Sequence, residues 1–117
     1  MKTIRDTSLS LEDAAQAFAA LGSESRLSVL RSLVRAGPEG LSIGALGKAT
    51  GISGATLTHH LRFLTQAGLV RQARQGRSII CAGAAYETVD ALSRFLLEEC
   101  CADAEVCAHE AREHGHD

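Results

Sequence analysis

The sequence predicts a mainly α domain with one small β-hairpin, an α+β chain in the order ααααββα. Three observations predict it. Apolar residues recur at helical spacing between serines that can cap a helix and glycines that can stop one. One stretch, 69–82, switches to an extended pattern on either side of Gln75-Gly76. The 117 residues are 45% hydrophobic and 22% charged, material for a single core.

Ser10 followed by Leu11-Glu12-Asp13 reads as a helix start, a side-chain cap with acids in the first turn. Ala14, Ala15, Phe18 and Leu21 line one face of this first helix until Gly22 stops it. Ser23 caps a second helix with Leu27, Leu30 and Val34 as its apolar stripe and Leu33 on the flank; Gly37-Pro38 ends it. Ser42 opens a short third helix through Ile43, Leu46 and Ala49, closed at Thr50-Gly51. Ser53 caps a fourth that runs to about Ala67 and halts at Gly68. On a wheel of about 100° per residue, Leu57, Leu61 and Leu64 define its buried side. Ala55, His59, Arg62 and Gln66 lie opposite, a small, polar and basic face without an acid. The stretches 69–74 and 77–82 then pair as a hairpin with arginines at its tip. From Ala84 a last helix carries Tyr86, Val89, Leu92, Phe95 and Leu96 in a long apolar stripe. One small domain cannot easily cover that stripe and the first helix's Ala-rich face as well. A homodimer packing both faces would cover them, with burial inside a monomer as the alternative. The boundaries expected are an N-terminal arm at 1–9, a folded domain with dimerisation helices at both ends at 10–108, and a polar tail at 109–117.

Charge is distributed unevenly. Residues 1–80 carry ten Lys/Arg against five Asp/Glu, a balance of +5, while 81–117 carry two against nine, a balance of −7. The stretch 40–86 holds Lys48, Arg62, Arg71, Arg74 and Arg77 and no acid, a local field that suits a phosphate backbone. The apolar runs are far shorter than the roughly 20 residues of a membrane span, so no membrane partner is expected. Met1 to Asp13 is too charged for a secretory leader, so the expected location is cytoplasmic. There the four cysteines read as ligands or redox groups rather than disulfides.

A short helix, a Thr50-Gly51 turn and a capped helix with a basic outer face make a helix-turn-helix pattern, and the hairpin adds a wing. The fourth helix would enter the major groove of double-stranded DNA while the wing touches the flanking backbone. Arg62 can pair with guanine, and Thr56, Thr58 and His59 can reach base edges or phosphates. With Ser53, Arg74 and Arg77 these are the candidate DNA-contacting residues. His60 sits at the edge of the buried side, open to a hydrogen bond within the domain or to a DNA contact. Only Phe18, Phe63, Tyr86 and Phe95 are aromatic and none lies in the wing, which disfavours a single-strand binder built on stacking.

Several motifs carry a family resemblance. Leu21-Gly22-Ser23-Glu24-Ser25-Arg26-Leu27, with Val29-Leu30 and Leu33, resembles the opening of the ArsR/SmtB metalloregulators. Thr58-His59-His60-Leu61-Arg62-Phe63-Leu64 and Ala67-Gly68-Leu69-Val70 resemble their recognition helix and its exit, and Gly76-Arg77 their wing turn. The resemblance covers about residues 10–100. It implies a dimeric repressor that binds a palindromic operator and lets go when an inducer binds. Gly54-Ala55 replaces the polar residue and proline of many members, so operator preference does not carry over. Cys81 stands where the family usually has an aromatic residue, consistent with a plain buried strand position.

The resemblance also bears on the inducer. The family's third-helix site needs a Cys-x-Cys cluster, but that segment here is Leu41-Ser42-Ile43-Gly44-Ala45-Leu46. Its last-helix zinc site needs spaced Asp and His, and no histidine follows Asp90 before His109. What remains, Cys100-Cys101 and Cys107, resembles the C-terminal cluster of arsenite-responsive members. Three thiolates suit trigonal-pyramidal As(III), one per site, whereas zinc prefers four ligands. His109 could supply a fourth, which keeps Zn, Cd or Pb open, and persulfide or thiol redox sensing through Cys81 is a further alternative. Glu98, Glu99, Asp103, Glu105, Glu110 and Glu113 surround the cluster and disfavour thiolate, which argues against a catalytic nucleophile. On an unbroken helix Cys100 and Cys107 would lie about 10.5 Å apart, too far for one ion, so the helix should end or unwind near 101–106. A small Cys-dependent arsenate reductase or a metal-buffering protein is the remote alternative; neither a phosphate-cradling loop nor Cys-x5-Arg is present. No enzyme activity and no catalytic cofactor are expected.

Overall fold

The computed structural model describes residues 9–83 and 86–106, with the backbone alone at Tyr86. Its elements run α1 (Leu11–Ala20), α2 (Glu24–Ala36), β1 (Leu41–Ser42), α3 (Ile43–Thr50), α4 (Gly54–Gln66), β2 (Val70–Gln75), β3 (Ser78–Gly83) and α5 (Tyr86–Leu97). This is the predicted order with one addition, β1. The sheet is antiparallel in the order β1-β3-β2. Gly40 makes the added strand possible. It adopts φ +73°, and a Cβ there would come within 2.2 Å of the Cys81 carbonyl oxygen. Only glycine lets the chain approach so closely and pair Leu41 with Cys81 and Ser42 with Ile80. Two residues carry no period to read, which is why the alternation missed them.

The serine caps fall where the sequence puts them, with one difference. The hydroxyls of Ser10, Ser23 and Ser42 accept from the amides of Asp13 (2.9 Å), Arg26 (3.3 Å) and Ala45 (3.1 Å). Ser53 has the extended backbone of a cap, but its side chain makes no capping bond. Gly51 closes α3 in the left-handed region at φ +74°.

The core is aliphatic. Leu33, Leu46, Leu57, Leu61, Leu64 and Leu69 are fully buried, each worth roughly 1.5–3 kcal/mol against exposure. The α4 stripe is the predicted one. In α2 the buried face is Val29, Leu30 and Leu33, whereas Leu27 and Val34 are exposed, a correction to the expected stripe. Both sets fit a 3.6-residue period, and the packing of α3, α4 and β3 on this helix decides between them. In α1, Ala14, Ala17 and Ala20 are buried and Ala15 is exposed, because three small residues at a spacing of three let the helix lie close to its neighbours. Ala49 of α3 is exposed as well. Leu9, the last residue of the expected arm, is buried; the rest of that arm, the tail from 109 and Ala84 lie outside the described residues.

The hairpin turns at Gly76-Arg77, one residue later than the extended pattern placed it and where the family resemblance puts the wing turn, with Gln75 opposite Ser78 and Gly76 at φ +62°. Among the described residues no helix is long and apolar enough to cross a membrane. On α5, Leu92 is buried, but Leu96 and Leu97 remain 68% and 63% exposed; Leu11 of α1 is 75% exposed. These leucines remain for a second copy to cover, whereas Ala14 of the Ala-rich α1 face that the sequence also assigned to a partner is buried within one chain, with Ala17 and Ala20 beside it.

Candidate nucleic-acid interface and sensor cysteines

Burying Leu57, Leu61 and Leu64 turns the opposite side of α4 to solvent. Ser53, Thr56, Thr58, His59 and Arg62 are all exposed there, and Arg74 and Arg77 are exposed on the hairpin. With Lys48 and Arg71 also exposed and no acid between 40 and 86, these elements contribute only positive charge, and the acid that borders them is Glu39, which lines a groove with Arg71. The uncapped start of α4 fits this picture, since first-turn amides favour an anion. Thr58 donates its hydroxyl proton to the Gly54 carbonyl (2.9 Å). Its oxygen is left to accept, which suits a base amino group and not a phosphate.

Sequence reasoning missed a cluster behind this face. The Arg26 guanidinium lies 4.9 Å from the centre of the Phe63 ring, and its Nε–H donates to the Ala20 carbonyl at the end of α1. The Phe63 ring in turn meets His59 edge to face at 5.0 Å. The readable signal was an aromatic residue four positions after a histidine on a helix whose apolar side was already full. His60 is half-buried, as expected, but its Nδ1 is buried without a hydrogen-bond partner, so the anticipated bond within the domain is not made there. Burial, then the positive charge of Arg26 and the neighbouring His59, lowers its pKa below the usual histidine value.

Cys81 is fully buried in β3, with Gln72 Nε2 3.6 Å from its Sγ. Burial raises its pKa, and the bond from Gln72 only partly opposes this. It is the plain strand position that the sequence suggested. The last helix ends at Leu97, earlier than the expected break at 101–106. Glu98 and Glu99 follow at once, and acids oppose the negative end of the helix dipole. Cys100 and Cys101 therefore sit in a turn, with the Cys100 amide donating to the Leu97 carbonyl at 2.9 Å. Their Sγ atoms are 3.5 Å apart, and Cys101 has φ +63°, a conformation uncommon outside glycine. Cys107, His109, His114 and His116 lie outside the described residues, and among the described ones no three His, Cys, Asp or Glu gather as a metal site.

The sequence profile of a helix-turn-helix domain matches residues 21–73. An HTH-type transcriptional regulator of Bacillus subtilis, YceK, is 39% identical over 64 residues; these are 55% of this chain and 63% of YceK, so the chain covers less than two thirds of that relative. Among solved structures, an ArsR-like transcriptional regulator from Rhodococcus sp. RHA1 superposes with a TM-score of 0.65 at 27% identity, covering 89% of each chain. The homodimeric winged helix-turn-helix domain of a possible ArsR-family regulator from Mycobacterium bovis matches with a TM-score of 0.61 at 28% identity, over 92% of this chain and 88% of that one. The chain has the fold of an ArsR-family transcriptional regulator.

The sequence relative and the solved structures that match are transcriptional regulators, a DNA-binding and non-enzymatic class. In this fold α3 and α4 are the helix-turn-helix and β2–β3 the wing. The α5 surface that would carry a zinc site offers Asp90, whose carboxylate is already paired with Arg94 at 3.0 Å.

Proposed function

We propose that this chain is a homodimeric repressor that holds operator DNA and releases it when As(III) is bound by Cys100, Cys101 and Cys107. The observation that carries the DNA half is the exposed, acid-free face of α4 beside an arginine-bearing wing. The dimer draws on the exposed apolar residues of α1 and α5 and on the homodimeric Mycobacterium bovis relative. Support for the inducer half comes from the sulfurs of Cys100 and Cys101. Two bonds of about 2.3 Å from one centre at angles near 100° put sulfurs roughly 3.5 Å apart, and these two are 3.5 Å apart. The pair lies three residues beyond the end of α5, so a ligand there would act on the helix assigned above to the dimer interface. A coupling of about 1–3 kcal/mol would lower DNA affinity roughly 5- to 150-fold.

A second reading, release by thiol oxidation, draws on the same 3.5 Å approach of the Cys100 and Cys101 sulfurs. Cys81 is a poor participant, being buried with a raised pKa. The two readings separate in one experiment. Reduced protein bound to a duplex from its own promoter is titrated with arsenite, zinc, cadmium and, in a metal-free arm, an oxidant. Release by arsenite, with Cys101→Ser binding DNA normally but not responding, is the expected result. Release by oxidant alone favours the second reading, and a Cys101→Ser protein that cannot bind DNA sinks the idea of a separate sensor.

A further inference from the structure

Resting on the DNA-binding reading, we infer that Arg26 is a positioning residue for operator recognition, fixing the DNA-reading helix to the dimer helix α1 without touching DNA. Arg26 is held from three sides. Its backbone amide donates to Ser23 Oγ at the start of α2, its Nε–H donates to the Ala20 carbonyl at the end of α1, and its guanidinium covers the ring of Phe63 on α4. One side chain therefore joins the ends of α1 and α2 to the recognition helix. The chain of contacts continues outward. Phe63 meets His59 in a T-shaped ring contact, and His59 faces the same solvent as Arg62.

Phe63 is 42% exposed, so its hold on α4 comes from these specific contacts and not from burial in the core. The aliphatic stripe of Leu57, Leu61 and Leu64 sets which face of α4 is buried, but leucine packing is non-directional and leaves small rotations about that setting inexpensive. A planar cation over an aromatic face is directional and sets that rotation. Only arginine can do this. Its Nε–H points along the chain to a carbonyl while its face stacks on a ring, whereas the single ammonium of lysine cannot serve both. Two recognition helices must meet half-sites about one DNA turn apart, so a rotation of α4 against α1 changes specific binding and leaves backbone attraction alone.

The test compares wild type with Arg26→Lys, Phe63→Leu, their double mutant and the ring-keeping Phe63→Tyr. Two duplexes serve as probes, one enriched by the wild-type chain from random sequence and a scrambled one of equal length, each measured across a salt series. Arg26→Lys and Phe63→Leu are expected to weaken the enriched duplex roughly tenfold, with scrambled-duplex affinity and the salt slope unchanged. The double mutant should lose no more than either single, and Phe63→Tyr should keep wild-type affinity. A salt slope lowered by about one would make Arg26 a phosphate contact and overturn the inference. So would equal losses on both duplexes, or wild-type affinity in Arg26→Lys and Phe63→Leu alike. Should Arg26→Lys fail to fold, Phe63→Leu against Phe63→Tyr carries the same decision from the more exposed partner. A wild-type chain with no salt-sensitive affinity for either duplex would overturn the DNA reading itself and the inference with it.

Discussion

His60 shows how much a single imidazole can report. With Nδ1 buried and unpartnered and the Arg26 charge nearby, the folded protein disfavours its protonated form. Its folded pKa lies below the ordinary value of about 6.5, so the unfolded chain binds more protons as pH falls. This contribution to stability is complete above that value and is lost as pH falls through the lowered one. Urea melts between pH 7 and 5 should therefore show stability falling toward acid, and His60→Gln should flatten that slope. An unchanged slope would assign the effect to other groups.

At the scale of elements, the wing and the recognition helix divide the work. If Arg74 and Arg77 each neutralise one phosphate, replacing either with Ala should lower the salt slope of DNA binding by about 0.9 and weaken all sequences alike. The salt titration of a scrambled duplex measures this, and a loss confined to one sequence would assign that arginine to base reading. Much of these elements was legible in the chain. The serine caps, the α4 stripe and the hairpin follow from local chemistry, and local chemistry is what a sequence displays. The buried face of α2 did not, because Leu27 and Val34 fit the helical period as well as Leu33 does. Neither did β1, whose two residues depend on a close approach of Gly40 to a distant carbonyl. The Arg26–Phe63 contact escaped for a related reason, since it spans two helices and leaves no mark in either one's spacing. The exposure of every candidate DNA residue followed from one face assignment, whereas Cys107 falls outside the described residues.

For the whole molecule, Leu11, Leu96 and Leu97 stay wet in a single copy. Leu96→Asp would place a charge in the proposed interface, and sedimentation should find monomer where the wild type is dimeric. The same change should cut operator affinity far more than it lowers the melting temperature, because two half-sites would no longer be read together. A Leu96→Asp protein that stays dimeric would move the interface elsewhere. The sheet tells the same story from the other side. One of its free edges is the two-residue β1, and the other, β2, presents Arg71 and Arg74. A border so short on one flank and so charged on the other is a poor template for recruiting a foreign strand. Neighbouring copies are thereby steered away from ribbon-to-ribbon stacking, and helical surface is what remains for them to share.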